Sequence, residues 1–424
     1  MGRLISRRWV NEAVSGVPRA DRRSCEYQAY VPDALVDRTF LLNGDVAADV
    51  ADAEAAIRRL DAVAAALTDT EALARLLLRA ESVASSRIEG LEIGPRRLLR
   101  AEAALSMGAA ASDVSAEEIL GNIGAMGTAL EFSQRAEAIT ADTLLEIHRQ
   151  LLSNTRLKDY AGRVRTEQNW LGGSSYNPCS AAYVPPPAEE VPRLLDDLAE
   201  FCNSDMLPAV VQAAIVHAQF ETIHPFADGN GRTGRALIHL ILRRRGLSKR
   251  LQPPISLILA TRATGYIDGL AAFRYEGAPD LPEAHAGLNA WVGFFAASCV
   301  RAVDDATAFE QRCQEIEMEW RERTGKVRKG SSVDRLLRLL PGTPVLSVKS
   351  AIALLESSKP QVNDAIFRLV DAGILTQVNV GRRNRAFEAR GVIDAFADLE
   401  RRLASPIGDT NIAPPVRPVP ARRM

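Results

Sequence analysis

Residues 224–235 read HPFADGNGRTGR and are the most informative stretch of this 424-residue sequence. An apolar segment ending AIVHAQFETI precedes them and ALIHLILRRR follows, which predicts a tight loop leading into a helix N-terminus. The unpaired N–H groups and the dipole of a helix N-terminus favour anions. The glycines of GNG let the backbone approach a phosphate closely. We therefore expect the loop to bind a phosphate-bearing ligand.

The side chains of the same stretch suit phosphate chemistry. His224 can exchange a proton near neutral pH, and Asp228 offers a hard oxygen ligand for Mg²⁺ that bridges phosphates. Arg232 and Arg235 lie three residues apart, so they share a helical face and can clamp a polyphosphate. Each feature alone is common in structural roles. Together, a base, a carboxylate, an anion loop and two arginines indicate nucleotidyl or phosphoryl transfer.

The stretch resembles the Fic family motif HPFx[D/E]GNGRxxR at every specified position. This resemblance, over about residues 25–320, implies that a protein hydroxyl attacks the α-phosphorus of ATP and that pyrophosphate leaves. It implies that His224 is the general base and that Asp228 is the Mg²⁺ ligand. It also implies that Tyr266 is the aromatic side chain near the nucleobase. The residues implied to bind ATP are Gly229, Asn230, Gly231, Arg232, Thr233, Gly234, Arg235 and Tyr266.

Nucleotide selectivity is the point at which the match to the family weakens. Ala260 stands where relatives often have a polar residue, and Ile267 where a second tyrosine is common. The resemblance therefore implies triphosphate binding more firmly than adenine selectivity, because some members of the family transfer UMP, phosphocholine or phosphate. His217 and His239 are predicted to be core histidines.

Residues 85–90, SSRIEG, resemble the inhibitory pattern [S/T]xxxE[G/N] of the family through Ser85, Glu89 and Gly90. The resemblance implies that Glu89 pairs with Arg235 and takes the place of the γ-phosphate, so that the enzyme restrains itself. By itself the segment also fits an exposed helix carboxylate followed by a glycine cap.

Residues 169–187, NWLGGSSYNPCSAAYVPPP, resemble the family's flap hairpin, which holds an extended target segment by backbone pairing. The alternative is an ordinary loop. The predicted flap spans residues 163–187, and its residues implied to meet the target are Gly172, Gly173, Ala182, Tyr183 and Val184.

The C-terminal part resembles a winged helix, because three helical segments precede a hairpin. Between Lys326 and Arg390, twelve Lys and Arg residues stand against five Asp and Glu residues. This excess predicts contacts with DNA phosphates, whereas a protein-contact or spacer module is the alternative. The residues predicted to contact DNA are Lys359, Arg382, Arg383 and Arg385.

The whole chain is predicted to be mostly α, with a Fic helical core, a β-hairpin flap and a small α+β winged-helix domain. The predicted divisions are an N-terminal arm (1–45), an N-terminal helical region with the inhibitory motif (46–125), the catalytic core (126–322), the winged-helix domain (331–400) and a disordered tail (405–424).

Composition narrows the class of protein. Hydrophobic residues make up 47% and charged residues 25%, as in globular proteins, and a net charge of −1 does not favour nucleic acid or membrane binding by the whole molecule. The five cysteines are scattered and form no CxxC pair, so neither a disulfide framework nor a zinc ribbon is expected. This pattern predicts a reducing cytoplasm as the location. Neither a signal peptide nor a membrane span is expected.

We therefore expect an autoinhibited protein adenylyltransferase in the cytoplasm that uses Mg²⁺ and ATP. Its expected partners are a hydroxyl-bearing target protein or the chain itself, DNA through the C-terminal domain, and a second copy in a homodimer, without a membrane. One alternative is removal of AMP from a modified protein, with Glu89 orienting a water. Another is a DNA-bound regulator whose site only senses nucleotide.

Overall fold

The N-terminal segment forms a small sheet. The computed structural model describes residues 1–11, 17–66, 70–108, 113–135, 137–380 and 384–403. Strands β1 (Arg3–Trp9) and β2 (Cys25–Val31) pair antiparallel. The sequence predicted an N-terminal arm over residues 1–45 without assigning strands to it, and the structure forms this hairpin there. Side chains on both faces of β1 are exposed, so the strand lacks the alternating apolar pattern that identifies a half-buried strand.

Four helices follow the hairpin: α1 (Gly44–Ala66), α2 (Thr70–Ile88), α3 (Pro95–Ser106) and α4 (Val114–Phe132). Helix α2 lies at the centre of this region. Its leucines at positions 73, 76 and 77 are buried in the main core, as their helical spacing predicts. This helix carries the segment SSRIEG at its C-terminal end.

The predicted catalytic core contains α5 (Ala141–Leu152), α6 (Val191–Cys202), α7 (Ala209–Ile223) and α8 (Asn230–Arg244). Every residue of α7 is buried, because the helix is apolar around its whole circumference and other helices surround it. Helix α8 packs against α7. The two helices are joined only by residues 224–229, so the predicted loop between two helices is confirmed.

Three helices complete the core: α9 (Ile255–Thr261), α10 (Ala263–Phe273) and α11 (Pro282–Thr324). The sequence predicted one helix over residues 255–274, which the structure divides at Arg262. Helix α11 contains an 18-residue window of mean hydropathy 1.3, and 61% of that window is buried inside the molecule. Its apolar residues pack on α1, α7, α9 and α10, which accounts for the hydropathy without a membrane.

The C-terminal unit, residues 331–403, has the helices and the hairpin that the sequence predicted. Ser358 forms a capping box with Gln361 at the start of its third helix. Its sheet has the order β3-β5-β4. Its elements are α12 (Ser332–Leu339), β3 (Val345–Leu346), α13 (Val348–Leu355), α14 (Lys359–Asp371), β4 (Thr376–Val380), β5 (Asn384–Glu388) and α15 (Arg390–Leu403). The winged-helix assignment stays a prediction. Residues 382–383 and the tail at 405–424 lie outside the described residues.

The C-terminal unit packs directly on α2. A Cβ atom at Gly342 would lie 2.3 Å from the Cα of Ala72, so the two backbones touch. Arg79 donates to the Gly342 carbonyl at 2.8 Å and also holds Glu102 of α3 with two hydrogen bonds. Helix α2 is therefore fixed between the catalytic core and the C-terminal unit.

Cys25 and Cys179 form a disulfide bond between β2 and the flap. The sequence predicted no disulfide framework, and this bond is the correction. The two cysteines are 154 residues apart, and only the packing of the N-terminal hairpin against the flap brings them together. Asn177 strengthens the same contact by donating to the Asp21 carbonyl at 2.9 Å.

Candidate active site

His224 lies where α7 ends, in a left-handed backbone conformation with φ of 49°. Its carbonyl accepts hydrogen bonds from Arg165 Nε at 2.9 Å and Asn169 Nδ2 at 3.3 Å. Its N–H donates to the Phe220 carbonyl at 2.9 Å. The backbone of this residue is therefore held from α7 and from the chain that enters the flap.

The imidazole of His224 is 15% exposed. Burial, reinforced by the positive charge of Arg165, lowers the pKa of His224 to about 4. The ring is consequently neutral at pH 7 and can accept a proton. Its Nδ1 is buried without a hydrogen-bond partner, so Nε2 is the nitrogen left to face a target hydroxyl.

The turn after His224 is held by its own side chains. Asn230 accepts from the Phe226 N–H and donates to the Phe226 carbonyl, both at 2.8 Å. Gly229 has φ of 77°, and a Cβ atom there would lie 2.8 Å from Leu151 Cδ2. Glycine is thus required at this position for both backbone and space.

His148 supports the turn from α5, although nothing in the sequence around it suggested a role. Its ring stacks on Phe226 with 3.7 Å between centroids. Its Nδ1 accepts from the Gly162 N–H at 3.0 Å, so its Nε2 donates to the Asp228 carbonyl at 3.0 Å. Burial lowers the pKa of His148 to about 4, which keeps the ring in this neutral state.

The Asp228 carboxylate is 48% exposed and accepts a hydrogen bond from Arg232 at 2.9 Å. Arg232 is buried and also faces Glu118 at 3.5 Å. Among the described residues, no cluster of three His, Cys, Asp or Glu side chains could hold a metal. One carboxylate beside an anion-binding loop fits Mg²⁺, which keeps several waters and shares phosphate oxygens.

Arg235 is buried on α8 and reaches the segment SSRIEG. Its Nη2 donates to Glu89 Oε1 at 2.7 Å and to the Ser85 carbonyl at 2.8 Å, and its Nε donates to Ser85 Oγ at 2.8 Å. Burial alone would lower the pKa of Arg235, but Glu89 raises it above its ordinary value. The predicted contact between Glu89 and Arg235 is therefore present.

Glu89 also covers the start of α8. A Cβ atom at Gly231 would lie 2.0 Å from Glu89 Oε1, so the carboxylate lies against the backbone of the anion-binding turn. Burial raises the pKa of Glu89, but Arg235 outweighs it and the net pKa is lowered, which keeps the carboxylate ionised. Gly90 follows with φ of 78°, as a glycine cap requires.

The predicted flap has hairpin pairing at a single bridge between Leu171 and Tyr183. Gly172 and Gly173 both have φ of 73°, which explains glycine at this bend. Tyr183 donates to the Thr222 carbonyl at 2.7 Å and lies under the guanidinium of Arg274. Val184 is buried and Ala182 is exposed.

Tyr266 of α10 lies against α7, where it is buried and its hydroxyl is 2.8 Å from His217 Nε2. Its role near a nucleobase stays a prediction. His217 and His239 are fully buried, as predicted for core histidines. His239 Nε2 lies 2.8 Å from Glu81 of α2, which ties α2 to α8. Lys359 and Arg385 of the C-terminal unit are exposed.

Comparison with known proteins agrees with this geometry. The Fic/DOC family profile matches residues 138–242, and the Fic/DOC family N-terminal profile matches residues 47–131. Protein adenylyltransferase fic-1 of Caenorhabditis elegans is 37% identical over 134 residues, 32% of this chain and 24% of that protein. Protein adenylyltransferase Fic of Nematostella vectensis is 32% identical over 136 residues, 31% of this chain and 28% of that protein. The chain thus spans about a quarter of these curated relatives' length.

The fold is also found among solved structures. A Fic family protein from Desulfovibrio desulfuricans G20 matches with a TM-score of 0.51 and 22% identity, and covers 82% of this chain and 97% of its own. This similarity concerns the fold alone. Both profiles and the complete motif at the α7–α8 turn assign residues 47–131 and 138–242 to the Fic/DOC family.

Proposed function

We propose that this chain is a protein adenylyltransferase, which transfers AMP from ATP to a hydroxyl side chain of a target protein. The observation that carries the proposal is the position of His224. Its neutral imidazole ends α7, and only residues 225–229 separate it from the N-terminus of α8. A base beside an anion-binding helix terminus suits attack by a hydroxyl on a phosphorus atom.

In the proposed reaction, Nε2 of His224 takes the proton of the target hydroxyl. The hydroxyl oxygen forms a bond to the α-phosphorus, and the bond from that phosphorus to the bridging oxygen of the β-phosphate breaks. Pyrophosphate leaves. The free N–H groups at the start of α8 and the Arg232 and Arg235 guanidiniums orient the triphosphate and offset its charge. The flap positions the target segment by backbone pairing.

Asp228 is the residue that would hold Mg²⁺ in this site. Its exposed carboxylate lies in the turn itself, so phosphate oxygens and water can complete the shell of a Mg²⁺ ion there. When bound, Mg²⁺ neutralises developing charge on the phosphates. Arg232 fixes the orientation of the carboxylate through their hydrogen bond.

We further propose that Glu89 restrains the transfer. The Glu89 carboxylate pairs with Arg235 and lies against the backbone at Gly231. The γ-phosphate of ATP would need both Arg235 and this backbone, and this overlap supports the proposal. A triphosphate could then bind only in a displaced position, with its α-phosphorus out of line with the target hydroxyl. Release of Glu89 would free Arg235 for the γ-phosphate.

Radiolabelled ATP tests the reaction. ATP labelled at the α-phosphorus should label protein, whereas ATP labelled at the γ-phosphorus should not. The Glu89→Gly variant, incubated in lysate and analysed by mass spectrometry, should reveal the target and the modified hydroxyl. If label from the γ-phosphorus appears on protein, the reaction is phosphorylation and not adenylylation. A pre-modified protein should also be incubated with each form of the chain. If the unaltered chain removes AMP faster than Glu89→Gly does, removal of AMP is the main reaction.

The second candidate function is DNA contact by the C-terminal unit. Its support is the charge excess of the unit and the exposure of Lys359 and Arg385. Phe367, 57% exposed on α14, instead favours a protein partner. A gel-retardation series from low to moderate salt decides, because phosphate contacts weaken steeply with salt. No retardation at the lowest salt would leave the protein-contact alternative.

Homodimer formation and a cytoplasmic location stay predictions. The Cys25–Cys179 bond is the feature that weighs against a reducing compartment, since disulfides persist mainly in oxidising ones.

A further inference from the structure

Glu221 is a buried carboxylate that the reaction described above does not use. It lies on the last turn of α7, three residues before His224, and its side chain is 10% exposed. Its Oε1 has no hydrogen-bond partner, and Nδ1 of His224 has no well-aligned one, although the ring lies close to the backbone carbonyl of Glu221. Buried polar atoms of this kind are rare in folded proteins, so a neighbouring unpaired donor and acceptor call for an explanation.

The side chains of Glu221 and His224 lie next to each other. Glu221 Oε2 lies 4.0 Å from Nδ1 of His224, about 1 Å beyond hydrogen-bond distance. The space that Glu221 occupies exists only because position 234 is glycine, since a Cβ atom there would lie 2.7 Å from Glu221 Oε1. The Gly234 of the motif therefore gives the carboxylate room beside the base.

We propose that Glu221 is the positioning residue of His224, a role that rests on the proposed function. In the reactive conformation, the Glu221 carboxylate accepts a hydrogen bond from Nδ1–H of His224. This contact leaves Nε2 unprotonated, so that Nε2 can take the proton of the target hydroxyl. The imidazolium that forms is then paired with the carboxylate until its proton passes to solvent. A carboxylate that fixes the tautomer of a histidine base plays the same part in serine proteases.

The ionisation state of Glu221 decides which tautomer His224 adopts. Burial raises the pKa of Glu221 to about 7. As a neutral acid, Glu221 would donate its own proton to Nδ1, and the ring proton would then lie on Nε2, where it blocks the base. As a carboxylate, Glu221 accepts from Nδ1–H instead. AMP transfer should therefore fall as pH drops through the pKa of Glu221.

Other charged groups face this pair from several elements. Arg235 and Arg274 favour the ionised form of Glu221, and Glu89 opposes it. The groups that face His224 are Arg165, Glu89 and Arg274. The neighbouring titratable hydroxyls belong to Tyr183 and Tyr266, and their pKa values are raised by burial. Because Glu89 is among these groups, its removal should move the inflection to lower pH.

The test compares Glu221→Gln with its parent in the Glu89→Gly protein. Glutamine keeps the shape of the side chain but cannot ionise. We expect kcat to fall about a hundredfold, near the lower end of what general-base catalysis supplies, and the KM for ATP to change less than about twofold. The acid limb of the rate profile should disappear. Glu310→Gln, which alters a buried carboxylate on α11 far from the turn, should leave rate and profile unchanged.

A second measurement does not depend on activity. Long-range ¹H–¹⁵N spectra report which ring nitrogen of a histidine is protonated, and a His224→Gln spectrum identifies the signals of His224. In the parent, the ring should change from the Nε2–H to the Nδ1–H tautomer as pH rises through the titration of Glu221. In Glu221→Gln, this change should be absent.

The two measurements separate the possible failures. If Glu221→Gln keeps the parent's kcat, pH profile and ring tautomer, Glu221 is only a buried structural acid and the inference is overturned. If the ring follows Glu221 but the parent transfers no AMP from ATP, the contact stands and the proposed function falls.

Discussion

The catalytic turn (residues 224–235) and the brake segment (residues 85–90) meet at Arg235 but are held in different ways. Within the turn, Asn230 and the carbonyl of His224 are tied by hydrogen bonds from several elements. The brake segment ends beyond α2, and its Glu89 side chain is 37% exposed. Its carboxylate reaches the site by accepting a hydrogen bond from Arg235.

This contrast indicates which part of the site must move. The proposed base, anion loop and metal ligand are already in place in the turn. The Glu89 carboxylate stands where the proposed function expects phosphate. A switch of this kind requires a small displacement of one side chain, since α2 itself is fixed by Glu81 to Ser256 of α9 and by Arg79 to the C-terminal unit.

The largest effect should come from His224. In the Glu89→Gly protein, His224→Ala should lower AMP transfer by about 10²–10⁴-fold, because it removes the general base. ATP affinity, measured by calorimetry, should remain nearly unchanged, because the base acts on the hydroxyl. Parental transfer by a folded His224→Ala protein would remove His224 from its assigned role.

The next effect concerns Asp228. Its change to alanine should reduce Mg²⁺-dependent transfer by about a hundredfold, in line with several kcal/mol of charge stabilisation from a bound metal. Titration with Mg²⁺ in the millimolar range should not restore the rate. Asp205→Ala, which removes an exposed carboxylate paired only with Arg244 and Arg245, is the control. An unchanged Mg²⁺ requirement in Asp228→Ala would point to another ligand.

A smaller effect should appear in the local stability of the turn. Asn230→Ala leaves the Phe226 N–H without its partner, while the Phe226 carbonyl keeps a hydrogen bond from Asn169, and an unpaired buried group costs about 1–3 kcal/mol. Amide exchange over residues 220–235 should become at least about tenfold faster, because local opening is easier. Asn379→Ala in β4, where the side chain is exposed, should not change it. Equal exchange in both variants would mean that the turn does not depend on Asn230.

The smallest effect should come from the contacts that hold helix α2, which carries the brake segment. Arg79→Met removes the contacts of α2 with Gly342 and Glu102, and a net hydrogen bond of about 1 kcal/mol corresponds to about a fivefold change. Basal AMP transfer should rise about two- to fivefold, but it should not rise further in the Glu89→Gly protein.

Arg75→Met is the matched control one turn earlier on α2. Arg75 is more exposed, pairs with Glu71 of the same helix and reaches the C-terminal unit only through a long 3.4 Å hydrogen bond to Thr343, so its loss should change the rate much less. If Arg79→Met and Glu89→Gly multiply their effects instead, the two residues act independently and the C-terminal unit does not support the brake.

The parts of the site that the sequence predicted are those with local geometry. Gly229 and the helix that follows it define the anion turn within a few residues, and the match of SSRIEG placed Glu89 opposite Arg235. Glu221 also carried a readable signal, since it is an acid three residues before His224 in an otherwise apolar helix.

The remaining contacts depend on long-range packing. His148, Arg165 and Asn169 reach the turn from other elements, and no local pattern distinguishes them from ordinary surface residues. The disulfide joins Cys25 to a residue 154 positions away, so spacing alone could not reveal it. The β1–β2 hairpin was missed because its exposed strand lacks apolar alternation.

The central claim is that Glu89 restrains AMP transfer by holding Arg235. The rate of protein labelling from α-³²P-ATP should therefore be about ten- to a hundredfold higher for Glu89→Gly than for the unaltered chain, as for loss of a partly buried ion pair. The increase should vanish in Glu89→Gly/His224→Ala, and Arg235→Ala should not reproduce it, because the γ-phosphate loses the same ligand. An equally slow Glu89→Gly protein, with intact fold and normal ATP affinity, would contradict the claim.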